Sequence, residues 1–334
     1  GETFDGMRDA LAYEDLSQEE INTAYRDLID LLVALDPAVR FDIANAVWTN
    51  EEIPFLQSFL TAVQEAFSAQ TSSSDFADPA TLNAINAWVE SATDGKIDTI
   101  LEELDPDQVA LLLNAIYFDG AWTVEFDPSE TALEPFTLED GSTVQVPMMS
   151  IADEEFPLAW APEYAAAELP YGGGAYAMLV VVPSDDARAF LETLDVEGWN
   201  DIVASLVPAE VDRLAIPKLS LSWDGFLNDA LKAMGMDVAF ANAADFSAMS
   251  PLGSDLCIDF VRQKTFLEVD ERGTRAAAVT AVGVGPTSFT GLVADRPFLF
   301  AIRERLSGTI LFSGIIGDPT AEDPGAGDVM DTCG

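Results

Sequence analysis

The stretch ERGTRAAAVTAVGVGPTSFTG, residues 271–291, limits what this chain can fold into more than any other. Charged residues make up 22% of the sequence, yet none occurs from Ala276 to Ala294. Apolar β-formers such as Val279, Val282 and Val284 invite edge pairing, so they are poor choices for an ordinary surface loop. A segment able to become an inner strand of a sheet needs uncharged, modest side chains on the face it turns to the core. Thr274, Ala276, Ala278, Thr280, Val282 and Val284 meet that condition at alternate positions, and Arg275 falls on the opposite face. The run is long enough to be weighed as a membrane span, but its glycines, proline and hydroxyl residues make it a poor helix in lipid.

The rest of the composition narrows the partners. The chain of 334 residues carries 59 acids against 15 bases, a net charge of −44. Phosphate binding needs a basic patch, so a nucleic acid partner is excluded, and an anionic membrane surface is disfavoured. The acids are spread along the chain, which reads as a solvated, salt-adapted surface of the kind found in halophilic proteins. Apolar residues make up 49% of the chain, enough for a sizeable core.

Enzyme chemistry finds little purchase here. There is no histidine, which removes Ser-His-Asp and Cys-His pairs and histidine-bearing metal sites. No nucleotide, metal or hydrolase motif is present, so no catalytic residue, metal or cofactor is expected. Cys257 sits in the apolar run DLCIDFV and reads as a core residue; Cys333 is penultimate, and the two suggest no disulfide framework. The chain opens GETFDGM without an initiator methionine or apolar leader, so the expectation is a removed leader or a missing front.

The first third reads as helices. Ser17 and Glu20 form a capping-box pattern ahead of Ile21, Tyr25, Leu28, Leu32 and Leu35 at helical spacing. Pro54 and Pro79 stand where helices would start, and Gly95 closes the second. Strands are predicted in VALLLNAIYF, STVQVPMM, AYAMLVVVP, LCIDFVRQKTFLEVD, PFLFAIRER and TILFSGII, with a helix in DGFLNDALKAMGM. Helices followed by strands without regular alternation predict an α+β fold around large, mostly antiparallel sheets. Residues 1–320 are expected to form one domain and 321–334 a flexible acidic tail.

Several blocks in order resemble the serpin family of serine protease inhibitors. They are INAWVESATDGKI (85–97), LLLNAIYFDGAWTVEFDPSET (111–131), GSTVQVPMM (141–149), ELPYGGGAYAMLVVVPSD (168–185), IPKLSLSWDGFLNDALKAMGM (216–236), FANAADFSAMS (240–250), FLEVDERGTRAAAVT (266–280) and ADRPFLFAIRERLSGTILFSGII (294–316). The resemblance implies a serpin-like fold with an exposed reactive loop, acting as a suicide-substrate inhibitor of an extracellular or cell-surface protease, and as a monomer able to polymerise through its loop. It also implies that two helices and a short strand preceding GETFDGM are absent. A non-inhibitory binding or storage protein on the same fold, or an acidic cell-surface structural protein, are the alternatives.

By the same resemblance Glu271, Gly273, Thr274, Ala276, Ala277, Ala278, Val279 and Thr280 form the hinge. The scissile bond falls at Thr287–Ser288, with Val284, Gly285, Pro286 and Phe289 setting specificity. Thr287 points to subtilisin-like or elastase-like proteases, and Phe289 as the alternative residue would point to chymotrypsin-like ones. Trp122 matches the tryptophan where the loop enters the main sheet, and Asn114 the asparagine of its opening region. Gln263 stands where the family usually has a histidine; glutamine can donate and accept, so that polar network is expected to work without a titratable group.

Overall fold

The protein is described by a computed structural model that covers residues 1–273 and 290–321. In chain order the elements begin with α1 (Glu2–Ala10), α2 (Gln18–Ala34), β1 (Val39–Asn50), α3 (Gln57–Phe67), β2 (Gln70–Ser74) and α4 (Pro79–Ala92). Strands then dominate, with β3 (Ala110–Gly120), β4 (Ala132–Thr137), β5 (Thr143–Ile151), β6 (Glu154–Trp160), β7 (Tyr164–Tyr171) and β8 (Tyr176–Pro183). Two helices follow, α5 (Ala187–Thr193) and α6 (Val196–Ser205), then β9 (Val207–Val211), β10 (Arg213–Pro217), β11 (Leu219–Phe226) and the short α7 (Asn228–Leu231). The chain ends in β12 (Arg262–Val269), β13 (Gly291–Val293), β14 (Phe298–Glu304) and β15 (Ile310–Ile316). This is the α+β architecture that the order of helical and strand patterns predicts.

Local chemistry explains where the first helices start. At α2, Ser17 Oγ accepts from Glu20 N at 3.3 Å while the Glu20 carboxylate accepts from Ser17 N at 2.9 Å, a capping box as predicted. Along α2, Ile21 and Leu32 are buried and Leu28 and Leu35 pack on the core. Asp78 caps α4, with Pro79 in its first turn. Past its end Gly95 takes φ +76° and donates to Glu90 O at 2.7 Å, a left-handed stop that suits glycine.

Among the described residues the strands form four sheets. One has the order β2-β1-β3, a second is the pair β11-β12, a third runs β13-β10-β5-β4, and the largest runs β15-β14-β8-β7-β6-β9. In β8 every residue is buried: Met178, Val180 and Val182 face the main core, and Leu179 and Val181 face a second cluster under α5 and α6. Such a strand, covered on both faces, reads as the unbroken apolar run AMLVVV. Helix α4 lies on β1 and β3, its Ile85 and Val89 fully buried against Trp48, Leu111 and Leu113.

Four expectations need correcting. Pro54 lies ahead of α3, which starts at Gln57; its carbonyl accepts from Ser250 Oγ at 2.7 Å instead. The predicted helix DGFLNDALKAMGM starts only at Asn228, because Asp224–Phe226 extend β11 against Gln263 and its neighbours; from Asn228–Leu231 it runs on as a wider π-helix over Lys232–Met236, interrupted where Gly235 takes φ +108°. The strand predicted from Leu256 begins only at Arg262: Asn228 Oδ1 accepts from Val261 N at 2.8 Å and its Nδ2 donates to Asp259 O at 2.9 Å, which takes up backbone groups a ladder would need. Cys257, read as a plain core residue, is half-buried and disulfide-bonded. Cys333 and the predicted tail from residue 322 lie outside the described residues. No helix among the described residues is long and apolar enough to cross a membrane.

Asn86 gives a test of how α4 is held over the sheet. Its Oδ1 accepts from Ile100 N at 2.9 Å and Leu101 N at 3.1 Å, and its Nδ2 donates to Leu101 O at 2.8 Å. Losing such a set leaves part-buried amides without partners, so Asn86→Ala should cost roughly 2–3 kcal/mol. Denaturant unfolding in high salt measures this.

Candidate functional site

The site begins where two sheets meet without joining. Among the described residues, strand β3 closes one sheet and β12 closes another, each paired with a strand on one side only. Between them lies a cavity of about 700 Å³, lined by Asn114 and Ile116 of β3, Gln263, Thr265 and Leu267 of β12, and Phe300 and Phe312 of the largest sheet. Farther along the same seam a space of about 20 Å³ is lined by Ile116, Phe118, Phe266 and Glu268.

Beyond that seam the chain leaves β12 in a tight turn that is clamped to the end of β3. Asp270 N donates to Gly273 O at 2.8 Å, and Arg272 N donates to Asp270 Oδ1 at 2.8 Å. The turn is then tied across: Trp122 N donates to Arg272 O at 2.7 Å, and Phe126 N donates to Glu271 O at 2.8 Å. Trp122 Nε1 adds a bond to Asp270 O at 2.8 Å. The indole is held by stacking on Tyr171, with centroids 4.3 Å apart and planes 16° apart. Offset stacking of this kind contributes beyond its buried area.

Gly273 can be nothing larger in this arrangement. Its φ is +133°, and a Cβ would stand 2.0 Å from Gly120 O and 2.6 Å from Ala121 Cα, which are backbone atoms that cannot swing away.

Glu271 is, with Asp270, one of two buried carboxylates in the clamp, its side chain 1% exposed. Lys218 Nζ lies 2.7 Å from Oε2, and Thr131 Oγ1 donates to Oε1 at 2.7 Å. Burial pushes this carboxyl up, but the lysine and the hydroxyl pull harder and hold it below the usual glutamate value.

The two remaining sequence-predicted residues are near each other but not joined. Asn114 and Gln263 line the same cavity. Asn114 Nδ2, however, donates to Asn45 Oδ1 at 2.9 Å, and Asn45 in turn donates to Phe67 O at 2.8 Å. The expected polar link across the seam is replaced by one within the β1–β3 sheet. The other predicted residues, Thr274, Ala276 to Thr280, Val284 to Phe289 and the Thr287–Ser288 bond, lie outside the described residues. Their two flanks are placed. Gly273 ends the clamp, and Thr290 exchanges backbone and side-chain bonds with Asp212 at 2.8 and 2.7 Å before β13 pairs with β10.

Sequence reasoning missed Lys218, Thr131, Tyr171 and Lys96. One signal was available: the chain has only four lysines, and Lys218 sits in the apolar run LAIPKLSL. Lys96 Nζ donates to Glu268 at 2.6 Å, Lys218 meets Glu271, and Lys264 donates to Thr99 O at 3.0 Å. All three fasten β12 or the turn after it. No group of three or more acidic or cysteine side chains suited to a metal is found among the described residues.

The clamp predicts both a mutational and a pH effect. Glu271→Gln should destabilise the protein by roughly 1.5–3 kcal/mol, since Lys218 loses a buried partner. A carboxyl held below its ordinary value contributes fully above that value and loses the contribution as pH falls through the folded one. The Glu271 contribution should therefore be flat across neutral and mildly acidic pH and fade below about pH 4.5. Unfolding midpoints of the parent and the variant, compared across pH, should converge only in that acid range.

Comparison with known proteins agrees with the geometry. The family model described as Serpin (serine protease inhibitor) matches residues 1–319. Serpin-Z1C of Triticum aestivum is 35% identical over 312 residues, covering 87% of this chain and 77% of the relative. Iripin-5 of Ixodes ricinus is 34% identical over 329 residues, with 94% and 82% covered. Among solved structures, the thermophilic serpin tengpin in its native state superposes with a TM-score of 0.83 at 29% identity, covering 95% of this chain and 83% of its own. Thyroxine-binding globulin in complex with thyroxine gives 0.85 at 27%, with 96% and 88% covered. The chain belongs to the serpin family, whose members are in general serine protease inhibitors.

Proposed function

We propose that this protein is a suicide-substrate inhibitor of a serine protease with subtilisin-like or elastase-like preference. The observation that carries the reading is the seam itself: two strands, β3 and β12, unpaired toward each other, with the turn that leads into residues 274–289 clamped at the seam's end. An added strand placed there would hydrogen-bond to both edges at once. Residues 274–284 have the alternating uncharged face such a strand needs.

The protease serine attacks the Thr287 carbonyl carbon. The Thr287–Ser288 peptide bond breaks, the Ser288 amine leaves with a proton, and an ester joins Thr287 to the enzyme. The freed segment then enters between β3 and β12 and carries the acyl-enzyme with it, before water can hydrolyse the ester. Uncut, the protein is held by a kinetic barrier, of which the clamp at Asp270–Gly273 is a part.

The same fold is used by thyroxine-binding globulin, so the fold by itself does not choose inhibition. The hinge does: between Gly273 and Pro286 the only charge is Arg275, and no proline interrupts. We place the protein outside the cell or at its surface as a monomer, where a disulfide at Cys257 persists. The net charge of −44 suits a concentrated-salt medium that screens self-repulsion.

Mixing the protein in high salt with a subtilisin-like and an elastase-like protease should give an SDS-stable adduct and a released fragment starting at Ser288. Cleavage with no adduct would refute the inhibitory reading. Thr274→Arg puts a charge on the inward face of the inserting strand, so it should leave the bond cleavable and shift the outcome from adduct to turnover. A variant that still traps protease stoichiometrically would remove Thr274 from the hinge.

A further inference from the structure

Past β15 the chain hooks around the edge of another strand. β11 pairs with β12 on one side, and its other edge has no strand beside it among the described residues. Side chains alternate across β11, so Leu221 and Trp223 point to one face and Ser220 and Ser222 to the other. Gly317 and Asp318 line the cavity of about 700 Å³ together with Leu221 and Trp223. Pro319, Thr320 and Ala321 line a second cavity, of about 500 Å³, together with Ser220 and Ser222. The chain therefore passes round the free edge of β11 between Asp318 and Pro319. A turn fixes the passage: Asp318 Oδ1 accepts from Thr320 N at 2.8 Å and from Thr320 Oγ1 at 2.7 Å, and Asp318 O accepts from Ala321 N at 3.3 Å.

A covalent anchor stands beyond the opposite end of that strand. Cys257 is half-buried and disulfide-bonded, and the sequence holds one other cysteine, Cys333. The neighbours of Cys257 are fixed in place. Ile258 N donates to Ala239 O at 2.9 Å, and Asp259 O accepts at 2.9 Å from Nδ2 of Asn228, two residues past the end of β11. Ala321 and Cys257 thus flank β11 from its two ends. A strand of eight residues is about 26 Å long. Eleven residues, 322–332, separate Ala321 from Cys333, and an extended chain of that length reaches about 40 Å. Residues 322–327 include Pro324, Gly325 and Gly327, which do not sustain a ladder. Residues 328–332, DVMDT, place Val329, Met330 and Thr332 next to Cys333, and these suit a strand better.

We propose that a Cys257–Cys333 disulfide straps the C-terminal residues along the free edge of β11, with 328–332 pairing to its main chain. The occupant of this edge is the chain's own tail, which closes an edge that another copy could otherwise join. The bond also spans the segment between β12 and β13, since Cys257 precedes it and Cys333 follows it. A chain cut anywhere in 274–289 therefore keeps β13, β14 and β15 covalently joined to the body. Opening the strap takes a dithiol, which gives two electrons and two protons to the disulfide, becomes a disulfide itself and leaves two thiols on the protein. The strap is independent of the protease-inhibitor reading, because it requires neither an acyl-enzyme nor an inserted strand.

Peptide mapping of the full chain in a thiol-blocking buffer, without reductant, should give one linked pair of peptides carrying Cys257 and Cys333. Blocked free thiols overturn the proposal, and so does a Cys257–Cys257 or Cys333–Cys333 pair from two copies. Hydrogen exchange in high salt tests the path of the tail. In Cys333→Ser, and in the parent treated with dithiothreitol, the amides of Leu219–Phe226 that face away from β12 should exchange at least about tenfold faster than in the untreated parent. Equal rates overturn the placement on β11. A single cut within residues 285–289 tests the bond a second time. The C-terminal fragment of the parent should leave the body in denaturant only once dithiothreitol is added, and that of Cys333→Ser without it. A parent fragment that separates without reductant overturns the proposal.

Discussion

Everything else in this structure depends on one turn being held where it is. Asp270–Gly273 joins β12, paired on one side among the described residues, to the segment proposed as the reactive loop. The turn is held by main-chain bonds from Trp122 and Phe126, by the Trp122 indole on Asp270 O, and by the Lys218–Glu271–Thr131 contact. Gly273 allows the backbones to approach within a distance that excludes any side chain. These are short-range, directional interactions. They fix the end of β12 without closing the seam beside it.

An unpaired strand edge is ordinarily a liability, open to pairing with another chain. Here β12 is secured on its flanks in place of a ladder to β3. Arg262 meets Asp224 with two bonds of 2.8 and 2.7 Å, Lys264 reaches Thr99 O, and Lys96 pairs with Glu268. In a chain with 59 acids and only 15 bases, cations concentrated on one strand tie it to β11 and to the segment after α4. Such contacts can be released and remade in a way that a continuous ladder cannot, because each is one local side-chain contact. The edges of β3 and β12 retain hydrogen-bonding capacity that an inserted strand would satisfy on both sides.

Much of this was legible in the sequence, for identifiable reasons. The capping box at Ser17 and Glu20, the Asp78–Pro79 start of α4 and the unbroken apolar run of β8 are local signals, and local physics fixed the outcome. The helix expected from Asp224 and the strand expected from Leu256 depended on long-range pairing, in which Asp224–Phe226 find Arg262–Lys264 and Asn228 holds the chain before them. Trp122, Glu271 and Gly273 were reached through family resemblance, while Lys218 and Thr131 were not. A buried ion pair between residues so far apart in the chain leaves no periodic trace. Gln263 and Asn114 show the opposite failure: the residue types suit a link across the seam, but Asn45 is the nearer partner for Asn114.

On the proposed mechanism the uncut protein is kinetically held, with a deeper state available once residues 274–284 can enter between β3 and β12. The most direct measurement is the thermal unfolding of the protein before and after a single cut within residues 285–289, in the same high-salt buffer. A cut form that unfolds at a much higher temperature than the intact one is the predicted result. A cut form that unfolds at the same temperature or lower would contradict the account, because the seam would then have gained no strand.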